Sequence, residues 1–417
     1  MRQLILTILT VAAVSCSGEP SAVHVSELRN AGNAQPIELS VEGRSNAHVT
    51  LAADGGRVAA AWIASSDAGA DVFAAVSGDG GRRFGAPVRV NDLPGDASGN
   101  GEQPPRVVLK GGSMTVVWVS KRSGVSGIRA AQSGDGGLTF GKARTISPDG
   151  VTGARGWESA AIDDAGVVHA AWLDGRHASS PSSPAPTAGK TPSHGAKHAH
   201  GDMRQDIVHA MWREGEPVVE TPVADNVCFC CKTGVAARGD AVYVVWRHLF
   251  PGGVRDIAIA RSNDRGRTFS PPVRVSADDW KIDACPDDGP AIAIDGKGAI
   301  HVVWPTLLQE AGTPHMAIFA AVSRDGGATF SPRTRVDDSK TGASHPRVAV
   351  SAAGERAIAW DEVTPEGRRI RVSRAVPVQL PEDGSASYPA VVSAGDDFAL
   401  AWTEQVAGRS VIRFTRR

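Results

Sequence analysis

Apolar and polar residues alternate in short runs along most of this chain, and seven of the runs end in tryptophan. Alternation with a period of two is typical of a half-buried β-strand. The runs are RVAAAW, SMTVVW, VVHAAW, AVYVVW, AIHVVW, ERAIAW and DFALAW, ending at Trp62, Trp118, Trp172, Trp246, Trp304, Trp360 and Trp402. Recurrence at this spacing predicts an array of one supersecondary unit.

A tight turn precedes several of the tryptophan strands. Glycine lies in these turns, and it adopts the positive φ angles that two-residue hairpins require. The turns are Asp54-Gly55-Gly56, Lys110-Gly111-Gly112, Asp295-Gly296 and Gly395-Asp396. Together with the segments that follow each tryptophan, this pattern predicts four β-strands per unit.

A second signature, S-x-D-x-G-x-x-F, begins 15 to 19 residues after four of the tryptophans. Its aspartate can accept backbone N–H groups within the turn, its glycine takes the strained dihedral, and its phenylalanine can fill the gap between units. The four copies are Ser77–Phe84, Ser133–Phe140, Ser262–Phe269 and Ser323–Phe330.

These segments resemble the Asp-box, or BNR, repeats of the sialidase-like β-propellers, and the resemblance covers nearly all of the chain after residue 37. It implies an all-β propeller whose Asp boxes lie on the face away from the ligand. Intervals of 56, 54, 74, 58, 56 and 42 residues between tryptophans predict a single seven-bladed β-propeller, with six blades as the alternative. We expect residues 36–40 to supply the fourth strand of the last blade and so close the ring.

The N-terminus reads as an export signal, with Arg2 followed by an apolar run from Leu4 to Val14. The sequence before Cys16 resembles a bacterial lipobox, which implies lipidation of that cysteine; cleavage without lipid is the alternative. We predict a lipoprotein signal peptide over 1–16, a flexible tether over 17–35 and the propeller over 36–417. The protein is then expected to be exported and lipid-anchored in the cell envelope, periplasmic or outer-membrane associated.

Charge excludes one class of partner. The chain has 44 basic and 45 acidic residues, so it offers no electrostatic argument for nucleic-acid binding. We expect membrane contact only through the lipid anchor, a monomeric state, and a small ligand, a glycan or an envelope protein as partner.

Four cysteines flank two neighbouring units. Cys228, Cys230 and Cys231 precede blade four, and Cys285 lies at the equivalent point before blade five. We expect these loops to lie side by side on the rim opposite the Asp boxes. Two interpretations stay open: disulfides, which an oxidising compartment favours, or a thiolate site for copper or zinc.

A long insertion follows Trp172 at about 177–203 and is rich in serine, proline and alanine, a composition that predicts disorder. It carries His194, His198 and His200, which are suitable ligands for copper or zinc on the same rim. The alternative is a flexible loop with incidental histidines.

A sialidase requires a tyrosine nucleophile activated by glutamate and three arginines that bind the substrate carboxylate. The F/Y-R-I-P motif of that family is absent here. The residues of matching type are Tyr388, Glu102, Glu158, Arg106, Arg155 and Arg347. We therefore expect a ligand-binding or assembly protein of the cell envelope rather than a true sialidase. An exo-glycosidase of sialidase type, and a protein-interaction platform with structural disulfides only, are the alternatives.

Overall fold

The computed structural model describes residues 36–121, 124–148, 152–177, 205–228, 232–281, 288–309, 313–373 and 385–416. Within these ranges the chain folds into 27 β-strands. The described residues include no helix with the length and apolarity needed to cross a membrane.

The strands follow one another in small antiparallel sheets, as the alternating pattern predicts. Strand β1 is Ile37–Leu39, and blade one contains β2 Ser45–Asp54, β3 Arg57–Ser66, β4 Gly69–Ser77 and β5 Val88–Arg89. Blade two contains β6 Arg106–Lys110, β7 Ser113–Ser120, β8 Gly127–Ser133 and β9 Arg144–Thr145. Blade three contains β10 Arg155–Ile162, β11 Val168–Asp174, β12 Gln205–Trp212 and β13 Val219–Val227.

The second half of the chain repeats this arrangement. Blade four contains β14 Gly234–Arg238, β15 Ala241–Phe250, β16 Val254–Ser262 and β17 Val273–Arg274. Blade five contains β18 Ala291–Ile294, β19 Ile300–Leu308, β20 His315–Ser323 and β21 Thr334–Arg335. Blade six contains β22 Ala343–Val350, β23 Arg356–Thr364 and β24 Gly367–Ser373, and blade seven contains β25 Ser385–Ala394, β26 Asp397–Val406 and β27 Arg409–Arg416.

The seven sheets form a seven-bladed β-propeller, which confirms the predicted blade number over the alternative of six. Among the described residues, strands of different blades are paired through the backbone at one place: Val227, in the last strand of blade three, pairs with His248 of blade four. The tryptophan hairpins therefore correspond one to one with blades.

Pairing of the two chain ends closes the ring, as predicted. Strand β1 pairs with β27, with Ile37 opposite Phe414 and Leu39 opposite Ile412. Arg413 Nη1 also lies 2.9 Å from Glu38 Oε2 across this pair. The N-terminal strand thus becomes the fourth strand of blade seven and covers what would otherwise be an open sheet edge.

The seven repeat tryptophans form the centres of the apolar packing, and each is at most 1% exposed. Trp62, for example, packs with Ile412 and Phe414 of the preceding blade. Its indole N–H is also satisfied, because it donates to Asn46 Oδ1 at 2.9 Å. Each tryptophan therefore combines a large apolar surface with a polar atom that needs a partner when buried.

The four S-x-D-x-G-x-x-F turns join the third and fourth strands of their blades. In the first of them, Asp79 Oδ1 accepts hydrogen bonds from the backbone N–H groups of Arg82 and Arg83, both at 2.9 Å. The aromatic ring of Phe84 packs edge-on against Phe414 of blade seven, with centroids 4.8 Å apart. The turns are therefore scaffold elements. Each is stabilised by hydrogen bonds within the turn, and its phenylalanine packs against the preceding blade.

Several predictions fall outside the described residues. These are the signal peptide over 1–16 with Cys16, the tether over 17–35, and most of the insertion, including His194, His198 and His200. The insertion connects β11 to β12, and β11 ends at Asp174 opposite Arg155, the first residue of β10. The two ends of the insertion therefore lie at the edge of the propeller where the chain passes from one blade to the next. We refer to this edge as the rim.

Candidate functional site

The innermost strands of four blades carry a bulge at the same place near the rim. Their pairing registers shift between Ala47 and Thr50, Gly156 and Ser159, Ser344 and Arg347, and Ser387 and Ala390. The residues with positive φ within these bulges are His48 at 63°, Trp157 at 54°, His345 at 59° and Tyr388 at 54°. Bulky residues rarely adopt this conformation, and backbone strain of this kind clusters at functional sites.

Each bulge is fixed by the preceding blade. The backbone N–H of His345 donates to Asp288 Oδ2 at 2.6 Å, and that of Tyr388 donates to Asp361 Oδ2 at 2.8 Å. The corresponding acceptors for Trp157 and His48 are Gln103 Oε1 at 3.1 Å and Thr403 Oγ1 at 3.0 Å. The strained backbone is thus held by side-chain acceptors of neighbouring blades.

A cluster of buried charges lies beneath these bulges and comprises Glu102, Lys232, Asp288, His345 and Asp361; it is called the charged cluster below. Lys232 Nζ lies 2.7 Å from Asp288 Oδ1 and 3.2 Å from Glu102 Oε2. The lysine side chain is only 1% exposed. Burial opposes ionisation of Asp288, but Lys232 and His345 outweigh it and lower the pKa of this carboxyl to about 2.

His345 occupies the centre of the charged cluster. Its Nδ1 lies 2.6 Å from Asp361 Oδ2, and its Nε2 lies 3.1 Å from Glu102 Oε1. Asp361 is held in turn by an ion pair with Arg368. Burial disfavours the imidazolium, but the carboxylates of Asp361, Glu102 and Asp288 outweigh it and raise the pKa of His345. The ring is therefore set up to carry a proton between two acidic groups.

Tyr388 covers His345 and faces the rim. The two rings are 4.1 Å apart between centroids with an angle of 32°, and His48 meets Tyr388 edge-on at 5.9 Å. A methyl group added at Gly101 would overlap the tyrosine ring, so glycine is required there. Burial, together with the charges of Glu102 and Asp361, raises the pKa of Tyr388 to about 12. The phenol is therefore protonated at neutral pH and can donate a hydrogen bond.

A cavity of about 410 Å³ opens beside Tyr388, between blades seven and one; it is called the rim cavity below. Its polar lining consists mainly of hydroxyl, amide and imidazole groups. These belong to Ser45, His48, Ser65, Ser98, Ser387, Tyr388, Thr403, Gln405 and Ser410. The cavity is of the size that holds a small ligand, and its lining offers many hydrogen bonds without a net charge.

The structure brings some of the residues predicted for a glycosidase together and separates others. Glu102 influences the pKa of Tyr388 and belongs to the same cluster. Arg106 and Arg347 line a different cavity on the propeller axis. Arg155 lies within blade three, where its Nε is 3.5 Å from Asp174 Oδ2.

Glu158, the other predicted activator, is fully buried. Neither of its carboxylate oxygens has a hydrogen-bond partner among the described residues. Burial raises its pKa to about 7, against the opposing charge of Arg106. This carboxyl is therefore associated with the axial arginine rather than with Tyr388.

The predicted metal site can be followed only in part. Cys228 is buried and accepts a hydrogen bond from Arg255 Nη1 at 3.4 Å, whereas Cys230, Cys231 and Cys285 lie outside the described residues. The described residues that follow the two cysteine-bearing segments are in contact, because Lys232 Nζ lies 2.7 Å from Asp288 Oδ1. Whether the cysteines are paired or bind metal stays a prediction.

Three other side chains have the spacing of a metal site. One ligand atom each of Glu102, Asp288 and His345 lies within 4.8 Å of the others. However, the Lys232 ammonium already contacts both carboxylates. In this arrangement the lysine supplies the positive charge that a metal ion would otherwise provide.

Two essential residues of the charged cluster, Lys232 and Asp361, do not stand out in the sequence. Asp361 directly follows the repeat tryptophan of blade six, where blades one to three have Ile63, Val119 and Leu173. Blades four, five and seven have Arg247, Pro305 and Thr403 there, so the available signal was that only blade six has a carboxylate at this position.

The fold and this site define the class: a seven-bladed β-propeller with a polar cavity at its rim and a buried charge network next to Tyr388. No family model matches the chain, and no curated protein matches it. Among solved structures, an ulvan lyase of polysaccharide lyase family PL25, bound to -[GlcA(1-4)Rha3S]-, is similar with a TM-score of 0.57. The identity is 10%, over 91% of this chain and 95% of that chain.

Sialidase from Trypanosoma rangeli is also similar, with a TM-score of 0.46 and 10% identity over 91% of this chain and 57% of that chain. An α-L-arabinanase from Penicillium chrysogenum in complex with arabinobiose has a TM-score of 0.47 and 13% identity, over 75% of this chain and 92% of that chain. At these identities, the similarity to solved structures concerns the propeller architecture alone.

Proposed function

We propose that this protein is a carbohydrate-binding propeller that holds a sugar unit of a glycan in the rim cavity, against Tyr388 and His48. The observation that carries the proposal is the lining of that cavity, in which hydroxyl and amide groups surround an aromatic ring. Sugars present hydroxyl groups at their edges and C–H groups on their faces, so they need this combination of hydrogen-bonding and aromatic surfaces.

The charged cluster supports a binding site whose geometry is fixed before the ligand arrives. The ring of Tyr388 packs against the ring of His345, and the backbone N–H of Tyr388 donates to Asp361. A preorganised ring loses little conformational entropy when the ligand binds. A propeller of similar fold, the PL25 ulvan lyase, was solved with a bound sulfated disaccharide unit, which is consistent with this use of the architecture.

Sialidase-type catalysis fits the site less well. The raised pKa of Tyr388, about 12, counts against a tyrosinate nucleophile. Among the predicted arginines, Arg155 lies near Asp174 rather than in the rim cavity. We therefore propose binding as the function and treat turnover as a separate outcome of the test.

A glycan array probed with the purified full-length protein tests this proposal. The best glycan is then titrated against Tyr388→Phe and Gln405→Leu, each of which removes a polar group that lines the cavity. We expect binding to weaken by roughly tenfold in each, the cost of one lost hydrogen bond to a ligand.

The matched control is Ser393→Ala, which alters blade seven next to its first hairpin turn, where the hydroxyl bonds only to Gly395 O. This variant should bind as the wild type does. Equal affinity in all four proteins, or no glycan bound on the array, would refute the proposal. Release of reducing ends from the bound glycan would show that the site also catalyses cleavage.

A second candidate function is metal binding through the cysteine segments. The observation that favours it is the contact between Lys232 and Asp288, which brings the ends of the two cysteine-bearing segments together. Soft thiolate ligands in such a place suit copper or zinc. Metal content and a free-thiol count on the purified protein test this, with Cys228, Cys230, Cys231 and Cys285 changed to serine as the comparison.

We expect the wild type to contain bound metal and titratable thiols, and the serine variant to contain neither. Absence of metal together with no free thiols would make the cysteines structural disulfides instead. The binding of metal and the binding of glycan use different residues, so either can fail without the other.

We also propose that the protein is exported and anchored in the cell envelope by a lipid on Cys16. The support is the lipobox-like sequence that ends at this residue. Mass spectrometry of the mature N-terminal peptide should show a diacylated cysteine, and Cys16→Ser should abolish it. An unmodified N-terminus in the wild type would leave no lipid anchor.

A further inference from the structure

A second cavity, of about 200 Å³, lies on the propeller axis and is called the axial cavity below. The innermost strands of all seven blades contribute to its lining. Most of these residues are small or apolar, and the charged ones are Arg106 of blade two and Arg347 of blade six. In a ring of seven, blades two and six are three steps apart, the largest separation possible, so the two guanidinium groups face the axis from opposite sides.

The two guanidinium groups have few polar partners at hydrogen-bond distance among the described residues. Neither forms an ion pair with any residue in the part of the chain that the structure describes. Arg106 Nε donates to the backbone carbonyl of Glu158 at 2.8 Å, and its buried Nη2 has no partner among the described residues. Arg347 Nη1 donates to the backbone carbonyl of Pro346 at 3.3 Å.

The electrostatics of this cavity are unfavourable as it stands. Burial and the like charge of Arg347 lower the pKa of Arg106 to about 10. The charges of Glu158 and Glu102 oppose this lowering without cancelling it, and burial raises the pKa of Glu158 itself to about 7. A buried charged donor without a partner is costly, so an anion that accepts from Arg106 Nη2 and reaches Arg347 would be stabilised.

We propose that the axial cavity binds a small oxygen anion, bridged by Arg106 and Arg347. The guanidinium group presents N–H donors in a planar fork that matches two oxygens of a phosphate, sulfate or carboxylate. The cavity is large enough for any of these groups. The apolar walls contributed by the innermost strands strengthen the attraction because they exclude water. This site is separate from the rim cavity and does not depend on the proposed carbohydrate function.

Calorimetric titration of the full-length protein in Tris chloride buffer, which supplies no oxygen anion, tests the proposal, with phosphate, sulfate and acetate as the three probes. We expect at least one probe to bind saturably at a single site and to raise the melting temperature. Phosphate or sulfate binding identifies a free inorganic oxyanion as the ligand, and binding of acetate alone identifies a carboxylate group.

The variant Arg347→Gln should weaken binding of that probe at least about tenfold, because it removes a charge-assisted hydrogen-bonding group. Arg347→Lys, which retains the charge but not the fork, should bind with intermediate affinity. The matched control is Arg83→Gln, at an exposed position in the turn of blade one. It should bind as the wild type does.

The same variants distinguish a binding role from a purely structural one. Without added anion, Arg347→Gln should melt at or above the wild-type temperature, because the repulsion between the two guanidinium groups is gone. Failure of all three probes to bind the wild type, or equal binding by wild type and Arg347→Gln, would overturn the proposal. Glycan binding at the rim cavity should be unaffected by these changes.

Discussion

At the scale of single residues, two members of the candidate site lie at strained backbone positions. His345 and Tyr388 have positive φ angles, and each has its amide bound to a carboxylate of the preceding blade. Tyr388 and Glu102 were predicted as site residues from their chemical type. Their contact partners Lys232 and Asp361 were not, because their importance arises from contacts between segments distant in sequence.

The strongest prediction at this scale concerns Lys232. The change Lys232→Met keeps the aliphatic stem but removes the ammonium between Glu102 and Asp288. Two buried carboxylates then lose their counter-charge, and we expect the free energy of unfolding to fall by about 3–5 kcal/mol. Chemical denaturation at neutral pH measures the change.

Lys110→Met is the matched control, because that lysine is 40% exposed and lies 3.7 Å from Asp54. An exposed pair of this kind contributes little, so a change within about 0.5 kcal/mol is expected. If the two variants were equally stable, the charged cluster would not depend on Lys232.

At the scale of strands and turns, the sequence predicts regular elements well and irregular ones poorly. The tryptophan strands and the S-x-D-x-G-x-x-F turns follow from local patterns, since alternation and turn chemistry depend on neighbouring residues. The bulges at His48 and Trp157 do not, because the amides concerned are fixed by Thr403 and Gln103 of other blades. A local sequence pattern cannot predict a hydrogen-bond acceptor that belongs to another blade.

Blade three contains a buried histidine pair that makes the contact with blade four sensitive to acid. His169 Nδ1 lies 3.1 Å from His209 Nε2, and both side chains are fully buried. His209 also packs against Phe269 of the turn in blade four, with centroids 5.2 Å apart. Burial, and secondarily the neighbouring His169, lower the pKa of His209 to about 3.

This pair predicts a loss of stability in acid. His209 stays neutral in the folded state down to about pH 3, whereas in the unfolded chain it takes up a proton near its ordinary value of 6.5. The unfolded state therefore binds more protons in this window, and the free energy of unfolding should fall by up to about 1.4 kcal/mol per pH unit from this histidine. Denaturation curves between pH 7 and pH 4 measure the slope.

His209→Gln should flatten that slope, while His177→Gln, at a side chain that is 75% exposed, should leave it unchanged. His48, whose pKa burial lowers to about 4, contributes to the slope in all three proteins and cancels in the comparison. Parallel slopes for wild type and His209→Gln would contradict the prediction.

For the whole molecule, blade number and ring closure were both predictable, because each depends on counting. Seven tryptophan strands give seven blades, and a last unit with three strands needs a fourth from the N-terminus. The two cavities were not predictable in detail, since their shapes depend on how the blades are arranged around the axis. Arg106 and Arg347 were predicted as residues of the type that binds a carboxylate, and their place in the axial cavity without ion pairs to described residues emerged from the structure.

Ring closure yields a prediction with a matched pair of truncations. Removing residues 1–40 deletes β1 and exposes the edge of β27, whereas removing residues 1–35 leaves β1 intact. We expect the longer truncation to lower the melting temperature and to promote self-association through the exposed edge. Thermal melting and size-exclusion chromatography measure the two effects, and equal behaviour of the truncated proteins would contradict the role of β1.

The pairing of Ile37 with Phe414 also sets an order of events in biogenesis. A ribosome makes β1 first among the described strands, but its partner β27 is made last. Earlier blades can form hairpins as they emerge, yet blade seven must wait until the chain is finished. The ring therefore stays open until β27 has been made, and the order of the strands along the chain delays the locking of the whole fold to that step.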